Sequence, residues 1–127
     1  MSNATLIRKV YDDFAKGDVR AVLEVFDASI VWQVPGHSPL SGTYRGHGEI
    51  VGFFERSLAL SGGSLAIDVE HILGEGDVVV ALVTVTAERN DRTAAFAEVH
   101  VWRLANGRIT AFREFQGDEQ AEDRFWS

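Results

Sequence analysis

Between residues 4 and 16 the apolar side chains Leu6, Ile7, Val10, Tyr11 and Phe14 recur at steps of three and four. That spacing marks one face of an α-helix, and Gly17 follows as a stop. Asp18 then stands as N-cap of a shorter helix in which Val19, Val22, Leu23 and Phe26 repeat the spacing, closed by Asp27-Ala28-Ser29. Residues 30–34 are β-branched and aromatic enough for a strand, and Pro35-Gly36 interrupts it because proline has no N–H to give to a ladder. After a short extended piece at residues 43–45, residues 48–60 carry Ile50, Phe53, Phe54 and Leu58 and close on Gly62-Gly63, which predicts a third helix.

From there the period changes to that of strands. Residues 65–73, 78–88, 93–104 and 108–116 are strand-like runs separated by Gly74-Glu75-Gly76-Asp77, Asn90-Asp91 and Asn106-Gly107, all turn chemistry of the hairpin kind. An antiparallel meander is expected, followed by a short helical or irregular tail at residues 118–126 whose Phe125 and Trp126 need something to dock on. Helices followed by hairpins make an α+β arrangement in which the helices cover one face of a twisted, curling sheet. At 127 residues the chain has the length for one domain with one core.

Composition narrows the chemistry. Hydrophobic residues make up 46% and charged ones 24%, the balance of a folded globular chain. With no cysteine, disulfides and thiolate catalysis are excluded, and a zinc site would have to be assembled from four scattered histidines and carboxylates, so neither metal nor other cofactor is expected. A formal charge of −7 with singly spread arginines argues against nucleic acid as a partner. The longest apolar runs, such as residues 78–83, fall well short of the roughly 18 needed for a membrane helix, and no signal-peptide pattern opens the chain, so a cytoplasmic location away from membranes is expected.

The segments VYDDFAKGD at residues 10–18, VWQVPGHSPLSGTYRGHGEIVGFF at 31–54 and VHVWRLANGRITAFREF at 99–115 resemble the SnoaL-like branch of the nuclear transport factor 2-like superfamily. The resemblance covers nearly the whole chain. It implies a cystatin-like, cone-shaped α+β barrel, in which a curved antiparallel sheet wraps around N-terminal helices and encloses an apolar pocket for a small hydrophobic molecule, usually in a homodimer. The superfamily includes isomerases, cyclases, hydrolases and proteins that only bind, so fold does not settle chemistry. Members similar to ketosteroid isomerase use an aspartate base, a protonated aspartate and a tyrosine. Those positions fall here on Gln33 (or Trp32), Val99 and Val10, with Tyr11 one step away, which excludes that chemistry.

The resemblance to cyclase-like members, which carry a His and Asp pair on the last hairpin, points instead to His100, Glu114 and Asp118 as catalytic candidates. Whether they meet depends on register. A two-residue type I′ turn at Asn106-Gly107 pairs Val101 with Phe112 and Val99 with Glu114, turns these residues and Gln116 toward the pocket, and leaves His100 outside; a three-residue turn would set His100 opposite Glu114. The shorter turn is favoured. It makes Glu114 the residue of interest, either as a desolvated acid or base or as a carboxylate satisfied at the rim by an arginine or Gln116. The substrate-binding candidates are Tyr11, Trp32, Gln33, Phe54, Val99, Val101, Phe112 and Gln116, with at most one of the adjacent Phe53 and Phe54 facing inward. The same register puts Phe96, Trp102 and Phe115 on the outer face, which suits a dimer contact. Two functions are expected: a cofactor-free cyclase or isomerase acting on a polyketide- or steroid-like substrate, or a non-catalytic carrier of an apolar metabolite.

Overall fold

Helix α1 (Asn3–Ala15) is capped by Ser2, whose side chain accepts from the Thr5 amide, and it buries Ile7, Val10 and Tyr11 on one face. Asp18 caps α2 (Val19–Glu24) in the same way through the Ala21 amide. That helix is shorter than its periodicity predicts, because Phe26 opens β1 (Phe26–Val34) instead of closing the helix. The computed structural model, which describes residues 1–127, continues with β2 (Gly42–Arg45), α3 (Gly46–Ser61), β3 (Ala66–Glu75), β4 (Val78–Arg89), β5 (Arg92–Ala105), β6 (Arg108–Gln116) and α4 (Glu119–Trp126).

The six strands form one sheet in the order β2-β1-β6-β5-β4-β3. Strands β3 to β6 are the antiparallel meander that the turn residues predict. The sheet as a whole is mixed, which corrects the expectation of an antiparallel sheet: β1 lies parallel to β6, because α3 carries the chain from β2 to β3 at the opposite edge and the meander then returns to β1. Alternation along β4, with Val79, Ala81, Val83, Val85 and Ala87 buried, directs one face of the sheet onto α1 and α3. Register breaks between Phe26 and Val31, Val69 and His71, and Arg103 and Leu104 bend the sheet into a half-cone.

The third break decides the face on which the chemistry sits. The hairpin turn is the two-residue one, Ala105 opposite Arg108, with Asn106 and Gly107 at φ of 52° and 76°. One step further Leu104 pairs with Ile109 but Arg103 pairs with Ala111, so Thr110 is an extra residue on β6. Because side chains alternate with period two, this single insertion brings His100 opposite Glu114 and Trp102 opposite Phe112. The expected register is therefore right at the turn and wrong beyond it.

The tail docks against β5 and the loop that follows β1. Phe125 and Trp126 are buried, the guanidinium of Arg92 lies 5.5 Å from the Phe125 ring centre, and Asp123 accepts from the His37 amide at 2.9 Å. Gly36 is required there, since its φ of +93° is left-handed and a Cβ would strike the Asp123 carboxylate.

Candidate active site

One apolar cavity of about 90 Å³ opens between the sheet and helices α1, α3 and α4, and 16 of its 23 wall residues are hydrophobic. Trp32 of β1 forms its floor, stacked on Phe112 with ring centres 3.7 Å apart, and its indole N–H is buried without a partner. Both Phe53 and Phe54 line the wall and pack against Trp32, at 5.9 and 5.6 Å between ring centres. The expectation that only one of them faces inward fails because α3 lies in the concavity, so two adjacent positions about 100° apart both meet the bent sheet.

The polar end of the cavity comes from β5, β6, α1 and α4. Glu98, His100 and Trp102 alternate on the inner face of β5, all nearly inaccessible at 5%, 3% and 2%. His100 Nε2 lies 2.8 Å from Glu98 Oε1 and 3.9 Å from Glu114 Oε1, and Nδ1 lies 2.7 Å from the Tyr11 hydroxyl. A nitrogen facing two carboxyl groups carries the proton, so Nε2–H donates to Glu98 and Nδ1 accepts from Tyr11 O–H. The tyrosine oxygen in turn accepts from Trp102 Nε1–H at 3.0 Å. Gln116 Nε2 donates to Glu114 Oε2 at 2.7 Å, leaving the Gln116 carbonyl oxygen without a partner. From the tail, the carboxyl of Glu122, 2% exposed, hydrogen-bonds that of Glu98, and its buried Oε2 receives no N–H donor.

Burial sets the protonation of this cluster. Desolvation, then the negative charge of Glu114, raises the Glu98 carboxyl to about 8. Glu122 is pushed up to about 11, chiefly by burial and then by its bond to Glu98. The opposite sign holds for His100: burial of the imidazolium lowers it to about 4 against a smaller opposing pull from Glu114, so the ring is neutral near pH 7. Burial also drives the Tyr11 phenol far above its ordinary value, and it keeps its proton. No lysine or arginine lines the cavity, so protons shared among carboxyl groups limit the negative charge. At neutral pH the bond pattern runs from Glu122 to Glu98 to Glu114, each protonated carboxyl donating to the next.

Of the residues singled out in the sequence, Tyr11, Trp32, Phe54, His100, Phe112, Glu114 and Gln116 meet at this cavity. Four do not. Val99 and Val101 point to the outer face, because the extra residue at Thr110 inverts the expected orientation. Gln33 is exposed and paired with Thr43 on the edge strand, since its neighbours Trp32 and Val34 take the inward positions. Asp118 is exposed and caps α4, accepting from the Ala121 amide at 3.0 Å. His100, expected outside on the favoured register, lies at the centre. Trp102, expected on the outer face, is in the core, and Phe96 turns inward to pack on Phe125, leaving Phe115 as the exposed aromatic. Sequence reasoning missed Glu98, Glu122, Trp102 and Trp126 as cavity residues; the i, i+2 run Glu98-His100-Trp102 is the signal that would have placed the first and third. Asp118→Ala is expected to cost about 1 kcal/mol of stability as a lost helix cap, read by denaturant unfolding.

A family model described as the SnoaL-like domain matches residues 7–112. The uncharacterized protein Rv0034 of Mycobacterium tuberculosis is 29% identical over 96% of this chain and 94% of its own length. Among solved structures, Bal32a, from a soil-derived mobile gene cassette, superposes with a TM-score of 0.94 at 32% identity, covering 98% of this chain and 96% of that one. A protein of unknown function with a cystatin-like fold from Xanthomonas campestris superposes at 0.93 with 25% identity, covering 100% and 99%. With its half-cone sheet, its helices in the concavity and a model match over most of its length, this chain belongs to the SnoaL-like domain family of the nuclear transport factor 2-like superfamily.

Proposed function

We propose that this protein is a cofactor-free acid–base catalyst that moves a proton on a small, largely apolar carbonyl compound. The observation that carries this reading is the pairing, in one largely apolar cavity, of a carboxylate beside a protonated carboxylic acid with an indole N–H that has no partner of its own. Glu114 is the base: its side chain is 12% exposed, open to the cavity, and held by the Gln116 amide. Glu98 is the acid, because a carboxyl group raised to about 8 is still protonated near neutral pH. Trp32 Nε1–H suits a substrate carbonyl oxygen as charge develops on it. The chain from Trp102 through Tyr11 to His100 fixes the imidazole and holds Glu98 in place. The enclosed volume of about 90 Å³ is below the roughly 300 Å³ at which drug-sized pockets begin, so a polyketide- or steroid-sized body would extend through the mouth.

The test is proton exchange. In D₂O the protein is expected to accelerate deuterium incorporation next to the carbonyl of cyclopentanone, followed by NMR; a rate equal to buffer alone would overturn the catalytic reading and leave the carrier one.

A homodimer through the outer face of the sheet completes the proposal. The outward positions Val80, Leu82, Val99 and Val101 are aliphatic and flank Phe115, which is 44% exposed, where a solvated antiparallel face would be polar. Light scattering on the eluted protein is expected to give twice the chain mass of 14.0 kDa; a single-chain mass sinks the dimer.

A further inference from the structure

The cavity holds more buried acceptors than donors, and the surplus lies at one end. Glu98 and Gln116 are cross-strand partners on the inner face, and Glu122 reaches them from α4. Two buried oxygens there receive no N–H donor, Gln116 Oε1 and Glu122 Oε2, the second on a side chain that is 2% exposed. Trp126, one turn further along α4, adds an aromatic wall on the same helix face as Glu122. Unsatisfied buried oxygens on a carboxyl group and an amide call for N–H donors, and a carboxyl-rich, aromatic-walled site with no resident cation favours a charged donor over a neutral one.

We propose that this end of the cavity binds the ammonium group of a small organic amine, which donates to Glu122 and to the Gln116 carbonyl and lies against Trp126, while the apolar body of the ligand occupies the space over Trp32. The inference names a substrate class for the site proposed above and rests on that cavity, but it concerns binding and not turnover. On binding, Glu122 gives up its proton to solvent and the ammonium keeps its own, so the pair forms a buried, hydrogen-bonded salt bridge. A divalent metal ion is the rival occupant, since ligand atoms of Glu98, His100 and Glu114 lie within 4.8 Å of one another. It is disfavoured because His100 Nε2–H already donates to Glu98 at 2.8 Å and the remaining walls are largely apolar, with little to hold a hydrated ion.

The experiment is isothermal titration calorimetry at pH 7 with isobutylammonium chloride, its neutral counterpart isobutanol, and zinc or manganese chloride, in two buffers of different ionisation heat. The expected result is that the ammonium ion binds at least about tenfold tighter than the alcohol, a gap of about 1.4 kcal/mol, with proton release that disappears in Glu122→Gln along with the preference. Gln116→Met, at a half-buried position, serves as the second variant if Glu122→Gln does not fold, and it too is expected to weaken the ammonium ion selectively. Equal affinities for amine and alcohol, a preference that survives both variants, or binding of the metal ions without the amine would each overturn the proposal. Because isobutylammonium is not turned over, amine binding without cyclopentanone exchange would leave this inference standing and remove the catalytic one, and the reverse result would do the opposite.

Discussion

Replacing Glu114 by Gln is expected to lower cyclopentanone deuterium exchange by roughly 10²- to 10⁴-fold, the range supplied by a positioned proton-transfer group. The substitution is nearly isosteric and its cost in packing is small. The Gln116 amide that donates to Glu114 Oε2 at 2.7 Å can donate equally to an amide oxygen, so the local geometry should survive. What is lost is the one carboxylate that opens to the cavity and can take a proton. Glu98→Gln is expected to reduce the rate for a different reason, since its amide still accepts from His100 Nε2–H but cannot return a proton to the substrate. In that variant the fall in rate with rising pH near the Glu98 transition, about 8, should disappear. Exchange that is unchanged in Glu114→Gln would exclude Glu114 as the proton carrier, and Asp118→Ala, whose side chain does not line the cavity, should leave exchange as it is.

The stability of the fold is expected to decline as the pH rises above neutrality, against the usual behaviour of carboxylates in ion pairs. Folded Glu98 and Glu122 keep their protons to about 8 and about 11, whereas in the unfolded chain both lose them near 4.5. Above pH 4.5 the folded state therefore binds more protons, and the stability these groups contribute is lost as pH climbs through their folded values. His100 works in the other direction: folded it titrates near 4 and unfolded near 6.5, so its contribution is lost as pH falls from 6.5 toward 4. The two effects partly cancel between pH 4.5 and 6.5. From 6.5 to 8 only the carboxyl groups act, and the slope reaches at most about 1.4 kcal/mol per pH unit for each of the two protons. Urea unfolding at pH 5, 7 and 9 measures this directly. Glu122→Gln should flatten the curve and make the variant more stable than the parent at pH 9, because a neutral amide has no proton to lose. A parent curve flat from pH 6.5 to 9 would refute the protonated-carboxyl assignment.

Both predictions turn on residues whose identity was visible in the sequence and whose placement was not. Helices α1 and α3 were legible because their apolar residues recur on a helical period and end at Gly17 and Gly62. The meander was legible because Asn90-Asp91 and Asn106-Gly107 occupy positions with positive φ, which few other residues tolerate. The parallel pairing of β1 with β6 left no trace in local pattern, since it joins residues some 80 positions apart. His100 shows the limit most sharply. Turn chemistry correctly specified Ala105 opposite Arg108, yet the extra residue at Thr110 reversed every side chain that follows it on β6 relative to β5. A bulge of this kind answers to the curvature needed to wrap the sheet around α1 and α3, and that demand comes from the whole core.

The sequence by itself determined the family, the order of elements, the cap at Asp18, and the supply of carboxylates, four histidines and many aromatic residues, because each depends on residue identity or on neighbours within a few positions. Only the tertiary structure decided that Glu98, His100, Glu114 and Glu122 share one largely apolar pocket while Gln33, Val99 and Val101 face away. Burial, unlike helical period, is a property of surfaces brought together from distant parts of the chain. It is the chief cause that turns these glutamates into protonated acids, with their crowding against one another second.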